Sequence, residues 1–205
     1  MDRARQGVPD NELWLQAAHQ DGAAFGELFE RHADAVYLHC FRRTASWSRA
    51  EELTSTVFLE AWRRRQSACL ETDSILPWLL AVANNVIRNA NRALRRHQRL
   101  LAKLPPPPQA DDFVDDAAGR LDDERDMAHM LRLLSALRTE EQEVIALCDW
   151  AGLSYTQAAT ALDVPVGTIR SRLSRAHEHL RVRIGEAAEP PHRVTPVLQR
   201  PEGET

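Results

Sequence analysis

The stretch 152–183, GLSYTQAATALDVPVGTIRSRLSRAHEHLRVR, constrains the fold more than any other part of the chain, because it encodes two helices separated by too few residues to keep them apart. Ser154 can accept from the free backbone N–H groups of a helix start, and Gln157, three residues on, completes a capping box. Ala158, Ala159 and Leu162 then give this helix a small inward face. Asp163, Val164 and Pro165 interrupt it, and Pro165 suits the first position of the next helix, where a missing N–H costs nothing. Along that second helix Ile169, Leu173, Ala176 and Leu180 share one buried stripe. Thr168, Ser171, Arg172 and Arg175 fall on another face, with Arg170 beside them. Guanidinium forks reach phosphate oxygens or the O6 and N7 atoms of guanine, and short hydroxyls bond backbone or base edges. This face therefore has the chemistry of a helix lying in a DNA major groove. Exposed arginines also occur on ordinary bundle helices, but here cap, turn and face all agree on a helix-turn-helix.

The whole chain is 205 residues long with 43% hydrophobic content, enough for one large or two small domains with a real core. The net charge of −4 argues against a general nucleic-acid binder until its distribution is considered. Residues 81–103 hold six cations and no acid, whereas residues 111–126 hold eight acids and two arginines, so opposite charges are sorted along the chain. Cys40, Cys69 and Cys148 are odd in number and widely spaced, which indicates neither a disulfide framework nor a zinc site, and a reducing cytoplasm is the natural setting. No apolar run approaches the roughly 20 residues of a membrane span, so no membrane insertion is expected. His177 and His179 point apart on a helix, and His32 and His39 read as boundary residues rather than a site. Nothing resembles a P-loop, a dinucleotide turn, a nucleophile elbow or a metal cluster, so neither a cofactor nor an enzymatic reaction is expected.

The spacing predicts an all-α fold. A short helix around residues 13–18 precedes one capped by Asp21, with Phe25, Leu28, Phe29, His32 and Val36 at helical intervals. Ser48 and Glu51 suggest a capping box opening a helix to about residue 65, with Leu53, Val57 and Ala61 on one side and Phe58 and Trp62 beside them. That apolar arc is wider than one core face needs, so either part of it serves a partner or the helix packs on two neighbours. A long helix is expected over 74–101, with a buried stripe of Leu79, Val82, Ala83, Val86, Ala90 and Leu94. Asn84, Arg88, Asn91, Arg92, Arg95 and Arg99 line another face that has no counter-charge within the helix, the mixture expected at a nucleic-acid contact.

Four prolines at 105–108, followed by acids and small residues, predict a flexible acidic linker over 102–124. Met127, Met130, Leu131, Leu134 and Leu137 resume helical spacing, Thr139 and Gln142 suggest another capping box, and Gly152 ends that helix. The expected organisation is a helical domain at 10–101, the linker, a helix-turn-helix domain at 125–184 and a disordered tail at 185–205.

Two stretches then resemble one family. Residues 24–99, with AFGELFERHADAVYLHCF, AEELTSTVFLEAWRR and PWLLAVANNVIRNANRALRR, resemble the promoter-melting domain of bacterial extracytoplasmic-function (ECF) sigma factors, and residues 133–181 resemble their C-terminal domain. The resemblance implies a dissociable subunit of core RNA polymerase that recognises promoter DNA and carries out no catalysis. On that basis Glu51, Glu52, Leu53, Phe58 and Trp62 are expected to grip the polymerase clamp. Asn84, Asn85, Arg88, Arg92, Arg95 and Arg96, with the loop before them, are expected to hold the −10 element, where flipping a base costs a few kcal/mol and selects sequence. Thr168, Arg170, Ser171, Arg172 and Arg175 are expected to read the −35 element. An anti-sigma factor is the further partner implied. The chain departs from the family pattern at Ser55, where Gln is usual, at Asn89, where Asp is usual, and at Ala158, where a bulkier residue is common. A stand-alone operator-binding regulator is the alternative; such a protein has no need of the Asn and Arg face between 84 and 99.

Overall fold

The second and third helices begin where a neighbouring side chain caps them. The computed structural model describes residues 7–68, 73–101 and 118–188, with side chains from 119 to 183 in the last stretch. Helix α1 (Asp10–Ala18) is followed by α2 (Gly22–Thr44), whose N-cap is Asp21 as expected, its carboxylate accepting from the amides of Ala23 and Ala24. Helix α3 (Trp47–Arg64) starts two residues earlier than the Ser48 box implied. Ser46 is its cap, and the amide of Trp47 donates instead to Glu124 at 2.7 Å. Helix α4 (Leu76–Leu101) completes the first bundle.

The core of this bundle is built from Leu13, Leu28, Val36, Val57, Leu79 and Ala83, each at most 1% exposed. Burying side chains of this size contributes about 1.5–3 kcal/mol apiece for the leucines and valines. The predicted stripe on α4 holds through Ala83 and then diverges. Leu80 and Ile87 are buried, while Leu94 is 41% exposed, because the distal part of α4 runs past its neighbours. Phe29, expected on the inner face of α2, is 44% exposed.

In the second half α5 spans Ala118–Leu134, so residues 118–124, expected in the linker, are helical; Ala, Leu, Arg and Glu are good helix formers, and Arg125 pairs with Asp122 one turn away. The proline run itself and the tail beyond residue 188 lie outside the described residues. Helix α6 (Thr139–Val144) is preceded by Arg138, whose amide donates to Glu141, and runs directly into a π-helical turn, Ile145–Trp150. The expected Thr139–Gln142 box is therefore displaced by one residue, and Gln142 donates instead to the carbonyls of Leu134 and Leu137. Gly152 (φ +70°) turns the chain out of this segment in a left-handed conformation that a side chain would strain.

Helices α7 (Tyr155–Leu162) and α8 (Val166–Ala188) form the helix-turn-helix. The capping box holds in both directions: the Gln157 amide donates to Ser154 Oγ at 3.2 Å, and the Ser154 amide donates to Gln157 Oε1 at 2.9 Å. Asp163 takes the left-handed conformation that stops α7, and Pro165 sits one position before α8 rather than inside it. Ile169, Leu173 and Ala176 are buried and Leu180 is half-buried. Among the described residues the molecule is helical throughout, in line with the predicted class, and α8 runs through Ala188, past the predicted domain end.

Candidate nucleic-acid interface

Helices α4 and α8 carry the predicted DNA-facing side chains, and the fold brings the two sets together. On α4, Asn85, Arg92, Arg95 and Arg96 are exposed. Asn85 opens with Asn89 onto a groove of about 550 Å³ whose opposite wall, on α3, carries Glu52, Thr56, Glu60 and Arg64.

Asn84 departs from the expectation of a solvent-facing contact, being 3% exposed. His39 Nε2 donates to Asn84 Oδ1 at 3.0 Å, whereas Asn84 Nδ2 is buried without a partner among the described residues. His39 is itself buried rather than at a boundary. Burial pushes its pKa from the ordinary 6.5 to about 4, the charges of Arg43 and Arg42 acting in the same direction against the opposing bond from Asn84. Asn91 is likewise engaged, accepting from Arg49 Nη2 at 3.3 Å.

Arg88 has a counter-charge that the helix alone did not reveal. Its Nη2 lies 2.6 Å from Glu143 Oε1 on α6, and Glu143 is 4% exposed. Arg43 sits against the same pair; burial lowers its pKa, Glu143 opposes that and Arg88 adds to it. Glu143 is the residue that sequence reasoning missed at this site. Its only signal was a carboxylate at a position where the 139–148 helix buries its side chains. Arg42 reinforces the junction by donating to the carbonyl of Trp150 at 2.5 Å.

On α8, Arg170, Ser171 and Arg175 are exposed, while Thr168 and Arg172 are half-buried. Ser171 Oγ donates to the Thr168 carbonyl and Arg175 Nε to the Ser171 carbonyl, so both side chains fold back along the helix. Arg172 turns toward α4. With Arg43, Arg88, Arg92 and Arg95 it lines a cleft of about 460 Å³ in which Glu140 and Glu143 are the acids. Five guanidiniums around two carboxylates leave a net positive site of the kind that attracts polyanions. At Ala158 the chain fits its smaller residue fully inside, at 0% exposure, and α7 keeps its cap.

On α3, Glu51 and Glu52 are exposed and Trp62 is half-buried, with the Arg65 guanidinium 3.7 Å above its ring. Leu53 and Phe58 are core residues, 7% and 5% exposed. The Phe58 ring stands edge-on to Phe29 at 4.7 Å and to Phe25 at 6.3 Å, so the wide arc of α3 is used by α2 on one side and α4 on the other. The exposed apolar residue is Leu59, at 48%. Ser55 faces solvent and bonds the Glu51 carbonyl. Cys40 is buried, which pushes its thiol up to about 11, and no group of metal-binding side chains occurs among the described residues. No helix among them is long and apolar enough to cross a membrane.

Residues 28–100 match the model of sigma-70 region 2, and residues 129–180 match that of sigma-70 region 4. The chain is 31% identical over 165 residues to the ECF RNA polymerase sigma factor SigK of Mycobacterium sp. (strain KMS), covering 78% of this chain and 83% of that protein. It is 31% identical over 179 residues to SigK of Mycolicibacterium vanbaalenii, covering 85% and 89%. Among solved structures, CnrH in complex with the cytosolic domain of CnrY superposes with a TM-score of 0.65 at 24% identity, over 88% of this chain and 99% of that one. RpoE of Bartonella quintana, in complex with the anti-sigma factor NepR, gives 0.57 at 20% identity, over 78% and 96%. With both sigma-70 regions in order and relatives matched at this identity over most of their length, the chain belongs to the ECF sigma factors, the subunits that direct RNA polymerase to promoters.

Proposed function

We propose that this sigma factor docks on core RNA polymerase through α3, reads the −35 element with α8 and holds the opened strand of the −10 element with α4, in the cytoplasm and without catalysis of its own. The observation that carries this division of labour is the pair of arginine faces, one in each region: Arg92, Arg95 and Arg96 exposed on α4, Arg170 and Arg175 exposed on α8. Guanidiniums there neutralise phosphates and fix register, and Thr168, Ser171, Arg172 and Asn85 supply base-edge bonds. Arg88 and Arg172 line the inter-region cleft, so they join the interface only once the two regions part. Asn84 acts from beneath, anchored on His39.

For the polymerase, Glu51, Glu52, Leu59 and Trp62 form the outer surface of α3, and Leu53 and Phe58 support it from the core. An anti-sigma factor is the third partner in this reading. Phe29 and Leu59, 44% and 48% exposed on adjacent helices, offer it apolar surface. Co-purification from the native host recovering no inhibitor would count against that partner.

Run-off transcription with core polymerase on genomic fragments, with and without the protein, tests the central reading. Promoter-specific transcripts that require both halves of the chain are expected. Duplex binding through α7–α8 with no polymerase affinity would instead make the protein a stand-alone regulator.

A further inference from the structure

Helix α1 has no part in either arginine face, yet it holds two of the best-connected side chains in the first bundle. Asp10, its first residue, is 7% exposed. Its Oδ2 accepts from the backbone amide of Ile75 at 3.1 Å, from Ser74 Oγ at 3.2 Å and from His32 Nε2 at 2.6 Å, while Oδ1 accepts from Arg31 Nη1 at 3.2 Å. Ile75 is the residue whose carbonyl receives the first bond of α4, from the Leu79 amide. Its own side chain cannot cap a helix, and the carboxylate that takes its N–H comes from 65 residues away. A carboxylate at that end also opposes the positive pole of the helix. Burial alone would raise the pKa of Asp10; the Ile75 amide, His32 and Arg31 together outweigh burial and hold it below the ordinary value, so the group is anionic at neutral pH.

Trp14, one turn along the same face of α1, holds the other side of the connection. Its Nε1 donates to the carbonyl of Ala68 at 2.9 Å, just beyond α3, and Arg65 Nε donates to the carbonyl of Ala17. The Trp14 ring also packs 5.2 Å from that of Trp78 in the first turn of α4. The end of α3 and the start of α4 are thus tied to α1 by polar bonds at Asp10, Trp14 and Ala17.

We propose that α1 is a positioning element for promoter opening, with Asp10 and Trp14 as its positioning residues: they set the orientation of strand-holding α4 relative to polymerase-docking α3. The inference rests on the roles given to α3 and α4 above. A rigid relation between those helices matters because a group misplaced by an ångström loses most of its effect on a step that needs alignment. Duplex recognition by α8 does not depend on it.

The test uses the full chain with core polymerase at a promoter identified by run-off transcription, comparing Asp10→Asn and Trp14→Phe with the unaltered protein. Asp10→Asn keeps the shape but puts an amide against donors, and Trp14→Phe keeps the ring packing but loses the bond to Ala68. Permanganate reactivity of −10 thymines should fall about tenfold in either variant. Polymerase affinity and −35 protection should stay within about twofold. Unchanged opening overturns the inference, as does a loss of opening matched by equal losses of polymerase binding and −35 protection. If Asp10→Asn melts below the assay temperature, Trp14→Phe decides. Failure of the unaltered protein to direct any specific transcript refutes the assigned roles themselves, and is visible before the variants are compared.

Discussion

Replacing Glu143 by Gln should loosen the junction between the two sigma-70 regions without changing the shape of either. Glu143 is 4% exposed and meets Arg88 at 2.6 Å, with buried Arg43 beside the pair. Gln can still accept a hydrogen bond from the charged Arg88 guanidinium, so the variant loses the charge–charge part of the pair. For unit charges ~4 Å apart that part is worth between about 1 kcal/mol in water and about 4 kcal/mol near a protein surface. Arg88 is 40% exposed, so solvent screening moves the loss to the lower end, about 1 kcal/mol. Arg43, left beside Arg88 without the Glu143 charge that offsets it, adds to this in the same direction, for a total of about 1–2 kcal/mol. At 1.4 kcal/mol per factor of ten, the parted form should gain about 5- to 30-fold relative to the packed one. Small-angle scattering at low salt measures the change as a larger radius of gyration. Raising the ionic strength from 0.1 to 1 M, which shortens the screening length from about 10 to 3 Å, should expand the unaltered protein as well and the Glu143→Gln variant much less. The same variant should bind −35 duplex more tightly, because Arg172 leaves the cleft. A scattering profile and salt response identical to those of the unaltered protein would refute the idea that this ion pair holds the regions together.

Arg172→Ala should weaken promoter binding by about 1–3 kcal/mol if its guanidinium makes a bidentate base contact, seen as lost protection over the −35 element in a footprint. Phe58→Ala, which empties a site between the Phe25 and Phe29 rings, should lower stability by about 3–5 kcal/mol in chemical denaturation, a larger effect than any on polymerase affinity. His39 introduces an acid sensitivity. With a folded-state value of about 4 against 6.5 when unfolded, the unfolded chain binds the proton first, so stability is complete above pH 6.5 and declines as pH falls toward 4. The loss approaches about 3 kcal/mol at 1.36 kcal/mol per unit. His39→Gln should flatten that part of the denaturation profile, and an unchanged pH dependence would exclude His39 as its source.

The pieces legible in the sequence were those whose physics is local. Asp21 and Ser154 cap the helices they were expected to cap because a side-chain oxygen two or three residues from an open N–H has few competitors. Ile169, Leu173 and Ala176 share a buried stripe because helical spacing alone puts them on one side. Expectations failed where a neighbour outside the helix decided the outcome. Ser48 lost the cap of α3 to Ser46, and Phe58 became core because α2 presented two phenyl rings to it. Residues 118–124 joined α5, as their helix propensity allows, even though their acids resemble the segment before them.

Taken alone, the sequence determined the helical class, the helix-turn-helix with its arginine face and the presence of two sigma-70 regions in order. Tertiary structure alone decided which polar groups meet: Arg88 with Glu143 across 55 residues, His39 with Asn84 across 45, and Asp10 with the Ile75 amide across 65. The reason is physical. A buried charge or amide is costly unless it is paired, but any of many donors or acceptors can pair it, and only packing brings one of them within bonding distance.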